Sequence, residues 1–357
     1  MKLYYEIYRD IKNRILSSEY PPGYRLSSKR VTAGRYGCSV ITVQTAYDML
    51  MDEGYITSRE RSGYFVCRID ALYREEESST PIEYLSEDIP YGESRDFEYS
   101  LWFKTIRKVI SERKERLFVK SPGMGCPVLR NVLADYLSRH RGMTVQPKNI
   151  VIGSGAEQLY ETVVKLLGRG RVYGIEDPSY PMIEAVYLSA GANIKRLKMG
   201  PDGIESRELQ NSAIDVLHVT PYRSFPTDIT TSVPKKYEYL RWAGAQRYIV
   251  EDDFNSEFYK PGQAAETLYA LDKRQRVIYI NTFSKSLSPS MRIGYMILPQ
   301  SLLETYQRVL GDFSCSVPVL DQYVLAEYIE SGNFVRHINR VRRKNAQNEK
   351  KPPEARI

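Results

Sequence analysis

The sequence of 357 residues predicts a multidomain protein, in which a small helical segment with a β-hairpin precedes a larger α/β domain. Two observations support this fold class. Apolar residues recur with a helical period within residues 5–53, and a hairpin pattern follows them. From about residue 96, short apolar runs alternate with helical patterns, as in α/β sheets. We therefore divide the chain into residues 1–69, a linker at 70–95, a body at 96–344 and a polar tail at 345–357.

The N-terminal segment has the order of a winged helix-turn-helix. The predicted helices cover residues 5–17, 29–36 and 40–53, and the predicted strands cover residues 55–57 and 64–66. The serine pair 27–28 and Ser39 are N-cap candidates, and Gly54 follows the third helix at a C′ position. In this fold the third helix lies in the major groove, and the wing contacts the backbone or the minor groove.

This arrangement predicts the DNA contacts. Polar residues early in the third helix are expected to read base edges, and cations of the second helix and the wing to contact phosphates. The candidates for base reading are Ser39, Thr42, Gln44 and Thr45. The candidates in the second helix and the wing are Arg30, Arg59, Arg61 and Gly63. Alternatively, the two wing arginines belong to a solvated turn, and Thr42 is an ordinary helix residue.

Composition and charge limit the class of protein. The chain is 42% apolar and 27% charged, and the N-terminus lacks a signal-peptide pattern, so a cytoplasmic globular protein without a membrane span is expected. Four scattered cysteines and three histidines form no metal-binding spacing, so reduced thiols and no metal site are expected. The net charge of +7 is concentrated in residues 1–69 and 336–357, which weakly supports nucleic-acid contact through one segment.

In the body, a glycine-rich turn joins a predicted strand to a predicted helix. Residues 150–152 form the strand, residues 153–157 (GSGAE) form the turn, and the helix follows at 158–167. Such a turn presents backbone N–H groups to an anion. By itself it is typical of many phosphate sites.

An acid, a lysine and an arginine follow further predicted strands. Asp252 comes after the apolar run 248–250, Lys285 comes after the run 277–280, and Arg292 lies downstream. Open α/β sheets gather their ligand sites at the carboxyl ends of their strands. These groups fit pyridoxal phosphate, because the acid can pair with the ring nitrogen, the lysine can take the aldehyde and the arginine the phosphate.

The N-terminal segment resembles the GntR-type DNA-binding head. The resemblance rests on residues 20–28 (YPPGYRLSS), 47–56 (YDMLMDEGYI) and 62–66 (SGYFV). GntR heads usually carry an arginine early in the recognition helix, where Val40 and Ile41 stand here. The resemblance therefore implies DNA binding but leaves the choice of operator open.

The body resembles fold-type-I pyridoxal-phosphate enzymes of the aspartate aminotransferase kind. Residues 251–258 (EDDFNSEF) and 282–295 (TFSKSLSPSMRIGY) carry this resemblance. Together with the head, residues 4–344 resemble the MocR-type regulators, which fuse a GntR head to an aminotransferase-like effector domain.

The resemblance assigns roles to the candidate site residues. It implies that Lys285 forms the internal aldimine and that Asp252 faces the pyridine nitrogen. It further implies a phosphate cup from Gly155, Ala156, Glu157, Thr282 and Arg292, with Ser284 in the same block and Tyr180 stacked on the ring.

Three departures bear on turnover. Phe254 stands where the family usually has a tyrosine that hydrogen-bonds the cofactor's phenolic oxygen. Residues 222–228 (YRSFPTD) replace the usual SHQFPTG, so that Arg223 either binds an acidic effector or is solvated, and Asp228 replaces a turn glycine. The family continues into a C-terminal subdomain that supplies an arginine for a substrate carboxylate, and the chain is short there.

These observations predict a pyridoxal-phosphate-dependent transcription regulator. It is expected to bind a double-stranded DNA operator as a homodimer and to sense an amine, an amino acid or pyridoxal phosphate itself through an aldimine at Lys285, without turnover. The alternatives are an active pyridoxal-phosphate-dependent aminotransferase and a degenerate fragment that binds DNA but no effector.

Overall fold

The computed structural model describes residues 3–59, 62–68, 97–259 and 266–349. The chain divides into two compact units between residues 88 and 89. The predicted linker and Arg61 lie outside the described residues. Within the described part, no helix combines the length and the apolar character needed to cross a membrane.

The first unit has three helices and a hairpin, which confirms the predicted winged helix-turn-helix. Its elements are α1 (Leu3–Leu16), α2 (Lys29–Tyr36), α3 (Val40–Asp52), β1 (Ile56–Arg59) and β2 (Gly63–Val66). Residues spaced by four on α1, such as Ile7, Ile11 and Ile15, are buried in one core with Val43 and Leu50 of α3. The two strands pair antiparallel, with Ile56 opposite Val66.

The predicted helix caps are confirmed. The Ser28 hydroxyl accepts a hydrogen bond from the backbone of Val31, and the Ser39 hydroxyl accepts one from the backbone of Thr42 at 3.1 Å. Gly54, which follows the end of α3, has a φ of +76°, a left-handed conformation that glycine adopts without strain.

The second unit is built on an eight-stranded sheet. Its strands are β3 (Ile150–Gly153), β4 (Val172–Asp177), β5 (Asn193–Gly200), β6 (Gly203–Ile204), β7 (Val216–Val219), β8 (Tyr248–Asp252), β9 (Val277–Thr282) and β10 (Gly294–Ile297). They lie in the order β3-β10-β9-β8-β7-β4-β5-β6. Only β10 and β6 run against their neighbours, so the carboxyl ends of β3, β9, β8, β7 and β4 share one edge. This confirms the predicted α/β fold.

Helices cover both faces of this sheet. They are α4 (Tyr99–Arg113), α5 (Pro127–Arg141), α6 (Ala156–Leu167), α7 (Pro181–Ser189), α8 (Ser206–Asn211), α9 (Val233–Ala243), α10 (Leu268–Leu271), α11 (Leu303–Leu310), α12 (Val319–Glu330) and α13 (Asn333–Glu349). On β9, Ile278 and Ile280 share a core with α6, α7 and α11, whereas Tyr279 packs with α5, α12 and α13 on the other face. The strand is therefore apolar on both sides, as expected for a parallel sheet covered twice.

The last helix is longer than predicted. It continues to Glu349, whereas the helical pattern was expected to end at Lys344, so residues 345–349 are helical rather than part of a polar tail. This stretch contains no proline or glycine, and alanine, glutamine and glutamate all favour a helix. The remaining tail residues lie outside the described part.

Gly125 is a position where a side chain should destabilise the second unit. Its φ is +90°, and a Cβ there would lie 2.4 Å from Cγ1 of buried Ile152 on β3. We expect Gly125→Ala to lower the free energy of unfolding by about 3 kcal/mol, from backbone strain and overpacking. Gly170→Ala is the control, because no atom lies within 4 Å of a Cβ there. Equal denaturation midpoints for the two variants would contradict this account.

Candidate functional site

A pocket of about 510 Å³ lies at the edge where the carboxyl ends of the strands meet. The predicted cofactor residues that line it are Ala156, Glu157, Tyr180, Asp252, Thr282, Ser284, Lys285 and Arg292. Gly155 lies directly beside it, since a Cβ on this residue would stand 3.1 Å from Nη2 of Arg292. The structure therefore brings the residues predicted from four separate chain segments into one place.

Two carboxyl groups end β8 and a third follows it directly, and all three are buried. Glu251 accepts hydrogen bonds of 2.7 and 2.8 Å from backbone N–H groups at the start of α10. Asp253 pairs with Arg141 at 2.7 Å and accepts a hydrogen bond from the Tyr279 hydroxyl at 2.9 Å. Burial raises the pKa of both groups. Only Asp252, the middle residue, lines the pocket.

Asp252 is held from two neighbouring elements. The hydroxyl of Tyr160 on α6 donates a hydrogen bond to its Oδ2, and Nε2 of His218 on β7 lies 3.9 Å from the same oxygen. His218 is in turn bonded through Nδ1 to the Tyr187 hydroxyl at 2.7 Å. The other oxygen, Oδ1, is buried and has no hydrogen-bond partner among the described residues. A buried carboxylate oxygen without a partner is costly, so it is suited to accept an N–H from a bound ring.

Lys285 stands opposite this acid in the pocket lining. Its amine donates a hydrogen bond to the side-chain oxygen of Asn255 and lies 4.9 Å from the centroid of the Phe254 ring. Partial burial, reinforced by the positive charge of Arg223, lowers the pKa of Lys285 from its ordinary value of 10.5. Asp228 opposes this effect. A lowered pKa increases the fraction of neutral amine, which is the nucleophilic form.

The glycine-rich turn forms an anion-binding cradle. Gly155 has a φ of +99° and precedes the first residue of α6, and Ala156 and Glu157 of this helix start line the pocket. The first N–H groups of a helix have no acceptor within it and can bind an anion. Arg292 adopts a φ of +41° and pairs with Glu157 at 3.0 Å. The cation and the helix terminus together fit a phosphate group.

The loop of residues 222–228 forms another wall of the pocket. Arg223 and Asp228 both have left-handed φ angles, +50° and +56°, and their side chains form an ion pair of 2.6 Å. Asp228 thus adopts the left-handed conformation expected of the turn glycine that it replaces. Next to them, the Phe225 ring contacts the half-exposed Tyr180 ring edge-to-face, with centroids 6.1 Å apart.

A further buried acid lies behind this loop. Glu176, in β4, accepts hydrogen bonds from the Thr220 backbone at 3.2 Å and from the Ser224 hydroxyl at 2.6 Å. Burial raises the pKa of Glu176 to about 7. Sequence reasoning missed Glu176, Tyr160, His218 and Asn255, because nothing in the local patterns indicates their long-range partners. Asn255 alone had a signal, its place in the block that contains Asp252.

In the first unit, the predicted base-reading hydroxyl groups have partners within α3. Those of Ser39 and Thr42 are bonded to each other at 2.8 Å. Thr45 donates a hydrogen bond of 3.2 Å to the carbonyl of Ile41.

The amide of Gln44 is also engaged, since it accepts a hydrogen bond from Lys29 and donates one of 2.5 Å to Asp48. Arg30 is exposed on α2, and Gly63 begins β2. The guanidinium of Arg59 lies over the Phe65 ring at 4.7 Å.

The two units together define a helix-turn-helix regulator joined to an aminotransferase-like domain. Residues 3–66 match the family described as bacterial regulatory proteins of the gntR family, and residues 85–222 match aminotransferase class I and II. The chain is 33% identical to the uncharacterized HTH-type transcriptional regulator YdeL of Bacillus subtilis (strain 168), over 96% of this chain and 76% of that protein. It is 28% identical to the probable rhizopine catabolism regulatory protein MocR of Rhizobium meliloti, over 97% and 75%. The chain belongs to this MocR-type family of HTH-type transcriptional regulators.

Solved structures similar to the second unit are aminotransferases. An archaeal alanine:glyoxylate aminotransferase is 26% identical, with a TM-score of 0.61. The similarity covers 68% of this chain, and the chain spans only 62% of that enzyme. LysN, the α-aminoadipate aminotransferase of Thermus thermophilus, was solved in complex with N-(5'-phosphopyridoxyl)-L-leucine. It is 25% identical over 71% of this chain and 67% of that enzyme, with a TM-score of 0.62.

The raised pKa of Glu176 makes stability depend on pH. The folded state binds the proton more tightly than the unfolded state, where the pKa is near 4.5, so the stabilisation is lost as the pH rises to about 7. Glu176→Gln keeps both hydrogen bonds, because its amide can accept from Thr220 and donate to Ser224. We expect the unfolding free energy of Glu176→Gln, relative to that of the wild type, to increase by about 3 kcal/mol between pH 4.5 and 8.

Chemical denaturation at a series of pH values measures this difference. The control is Glu161→Gln on α6, whose carboxylate reaches solvent and pairs with Lys165. A difference between Glu176→Gln and wild type that stays constant with pH would show that the carboxyl is already ionised in the folded protein.

Proposed function

We propose that this regulator binds pyridoxal phosphate in the pocket of its second unit and uses it to sense a small amine or amino acid. The observation that supports this most directly is that Oδ1 of buried Asp252, in the same pocket as Lys285, has no hydrogen-bond partner in the part of the chain that the structure describes. A carboxylate oxygen that lacks a partner suits the ring nitrogen of a pyridine aldehyde, and an amine with a lowered pKa suits its aldehyde group.

Each part of the pocket supports one contact to this cofactor. Asp252 would hold the pyridine nitrogen, and Tyr160 would keep the carboxylate oriented through its hydrogen bond. Arg292 and the N–H groups after Gly155 would bind the phosphate. Lys285 would carry the cofactor. The bound cofactor supplies an aldehyde carbon, which can be transferred from the lysine amine to the amine of an incoming effector. LysN, a similar structure, was solved with a phosphopyridoxyl ligand, which supports the choice of cofactor.

The pocket also offers a group for a carboxylate on the effector. Arg223 lines the pocket, and its charge reaches Lys285 strongly enough to lower that residue's pKa. Its partner Asp228 is largely exposed, so an effector carboxylate can compete with it for the guanidinium. We therefore favour an amino acid over a simple amine as the effector.

We further propose that the regulator acts as a homodimer on paired half-sites. One face of α4 carries Tyr99, Phe103 and Ile110, which are between 47% and 56% exposed and spaced as residues of a single helical stripe. Phe118, just beyond α4, is 90% exposed. Apolar surface of this kind is typical of an interface, and a second copy of the chain would bury it while doubling the DNA-binding heads.

Changing Lys285 tests the cofactor assignment. Wild-type protein incubated with pyridoxal phosphate and then freed of unbound cofactor should retain a visible absorbance band, and Lys285→Ala should lack it, because the amine that holds the aldehyde is gone. Lys195→Ala, which removes an exposed lysine of β5, should keep the band. A band that survives in Lys285→Ala, or is absent from wild type, would overturn the assignment.

The same preparation separates a regulator from an enzyme. A screen of amines and amino acids should find a compound that changes both the spectrum and the affinity for the DNA upstream of the gene. Fast transamination of common amino acids would instead favour an aminotransferase. If binding to that DNA does not depend on salt, the regulator assignment fails.

Replacing Arg223 tests the carboxylate contact. We expect Arg223→Gln to weaken the binding of an amino-acid effector about tenfold or more, as the loss of a charge-assisted hydrogen bond predicts. The amine that lacks the carboxylate should bind as before. Asp228→Asn should strengthen amino-acid binding, since it removes the competing carboxylate and asparagine tolerates the positive φ. Spectral titration measures all three, and equal losses for the amino acid and the amine would contradict the contact.

A further inference from the structure

The recognition helix begins with an apolar surface. Val40 and Ile41, its first two residues, are 42% and 78% exposed, and Thr45 is exposed one turn after Ile41. The core of the unit is formed by other positions of the helix, including Val43 and Leu50. Neither Val40 nor Ile41 belongs to that core, so their methyl groups are available at the surface.

The polar groups of the same turn are occupied. Ser39 caps the helix and shares a hydrogen bond with Thr42, and Thr45 is bonded to a carbonyl of its own helix. The amide of Gln44 lies between Lys29 and Asp48. What this part of the helix presents outward is mainly hydrocarbon.

The charges around this surface are those of a DNA-binding face. Residues 39–52 contain no lysine or arginine, so α3 lacks the side chains that most often read guanine. The cations lie on α2, where Arg30 and Arg35 are exposed, and on the wing, where Arg59 ends β1. Cations that flank a neutral helix start can bind phosphates while the helix contacts bases.

Apolar side chains read one feature of the major groove, the C5-methyl group of thymine. In a helix-turn-helix, the N-terminal residues of the recognition helix are the ones that reach the base edges. We infer that Val40 and Ile41 read thymine methyl groups, so that each half-site of the operator is recognised through T·A pairs rather than through guanine. This inference rests on the proposed DNA binding and names the sequence class that it selects.

Deoxyuridine provides the direct test, because it differs from thymidine only by the methyl group. The full chain is used to enrich half-sites from a random duplex library at one fixed salt concentration. Each thymidine of the enriched site is then replaced by deoxyuridine. We expect at least one replacement per half-site to weaken wild-type binding about fourfold, the effect of one lost methyl contact.

Ile41→Ala should reduce this difference at the thymidine that Ile41 contacts, because the single methyl group of alanine makes a smaller contact, whereas a thymidine contacted by Val40 should keep its full difference. The substitution is at an exposed helical position where alanine favours the helix, so folding is retained. Leu16→Ala is the matched control, since Leu16 is a 48% exposed aliphatic residue at the end of α1, and it should keep the fourfold ratio. Comparing the ratios cancels any change in DNA shape.

The outcomes distinguish this inference from the proposed function. Two results would overturn methyl reading and leave DNA binding intact. One is a set of enriched half-sites defined by guanine rather than by thymine. The other is a deoxyuridine effect that is equal in wild type and Ile41→Ala. A library from which nothing is enriched would overturn DNA binding itself, and the inference with it.

Discussion

The candidate site depends on how three adjacent buried carboxyl groups at the end of β8 are partnered. A polar group taken out of water must be hydrogen-bonded or paired, or the folded state loses several kcal/mol. Glu251 is satisfied by the start of α10, Asp253 by α5 and β9, and one oxygen of Asp252 by α6. These requirements tie helices from both faces of the sheet to one strand end. They leave a single oxygen, Oδ1 of Asp252, for a ligand.

In the first unit, polar groups are used for the helix itself and apolar groups face outward. The Ser39 hydroxyl accepts a hydrogen bond from the backbone N–H of Thr42, as capping requires, and shares a second hydrogen bond with the Thr42 hydroxyl. The side chains that remain exposed at this position are those of Val40 and Ile41. The hydroxyl groups of this short stretch therefore take part in the helix start, and the exposed surface beside them is largely apolar.

Much of the fold was predictable because its signals are local. The helical periods of α1 and α3, the serine caps and Gly54 are set by neighbouring residues, and the structure has them as predicted. The glycine-rich turn, Asp252 and Lys285 were predicted to lie near each other because strands in such sheets share a carboxyl edge. The antiparallel insertion of β10 and the continuation of α13 to Glu349 were not predicted, since short apolar runs do not reveal strand direction and a polar helix has no apolar period.

The sequence by itself determined the two kinds of unit and the residue types of the site, because periodicity, turns and motif blocks need only neighbouring residues. The tertiary structure decided which groups are partnered. Tyr160 lies 92 positions before Asp252, and Arg141 lies 112 positions before Asp253, yet each pair shares a buried hydrogen bond. No local pattern encodes such distances. Whether a buried carboxyl group is hydrogen-bonded within the protein or is available to a ligand therefore follows only from how the chain folds back on itself.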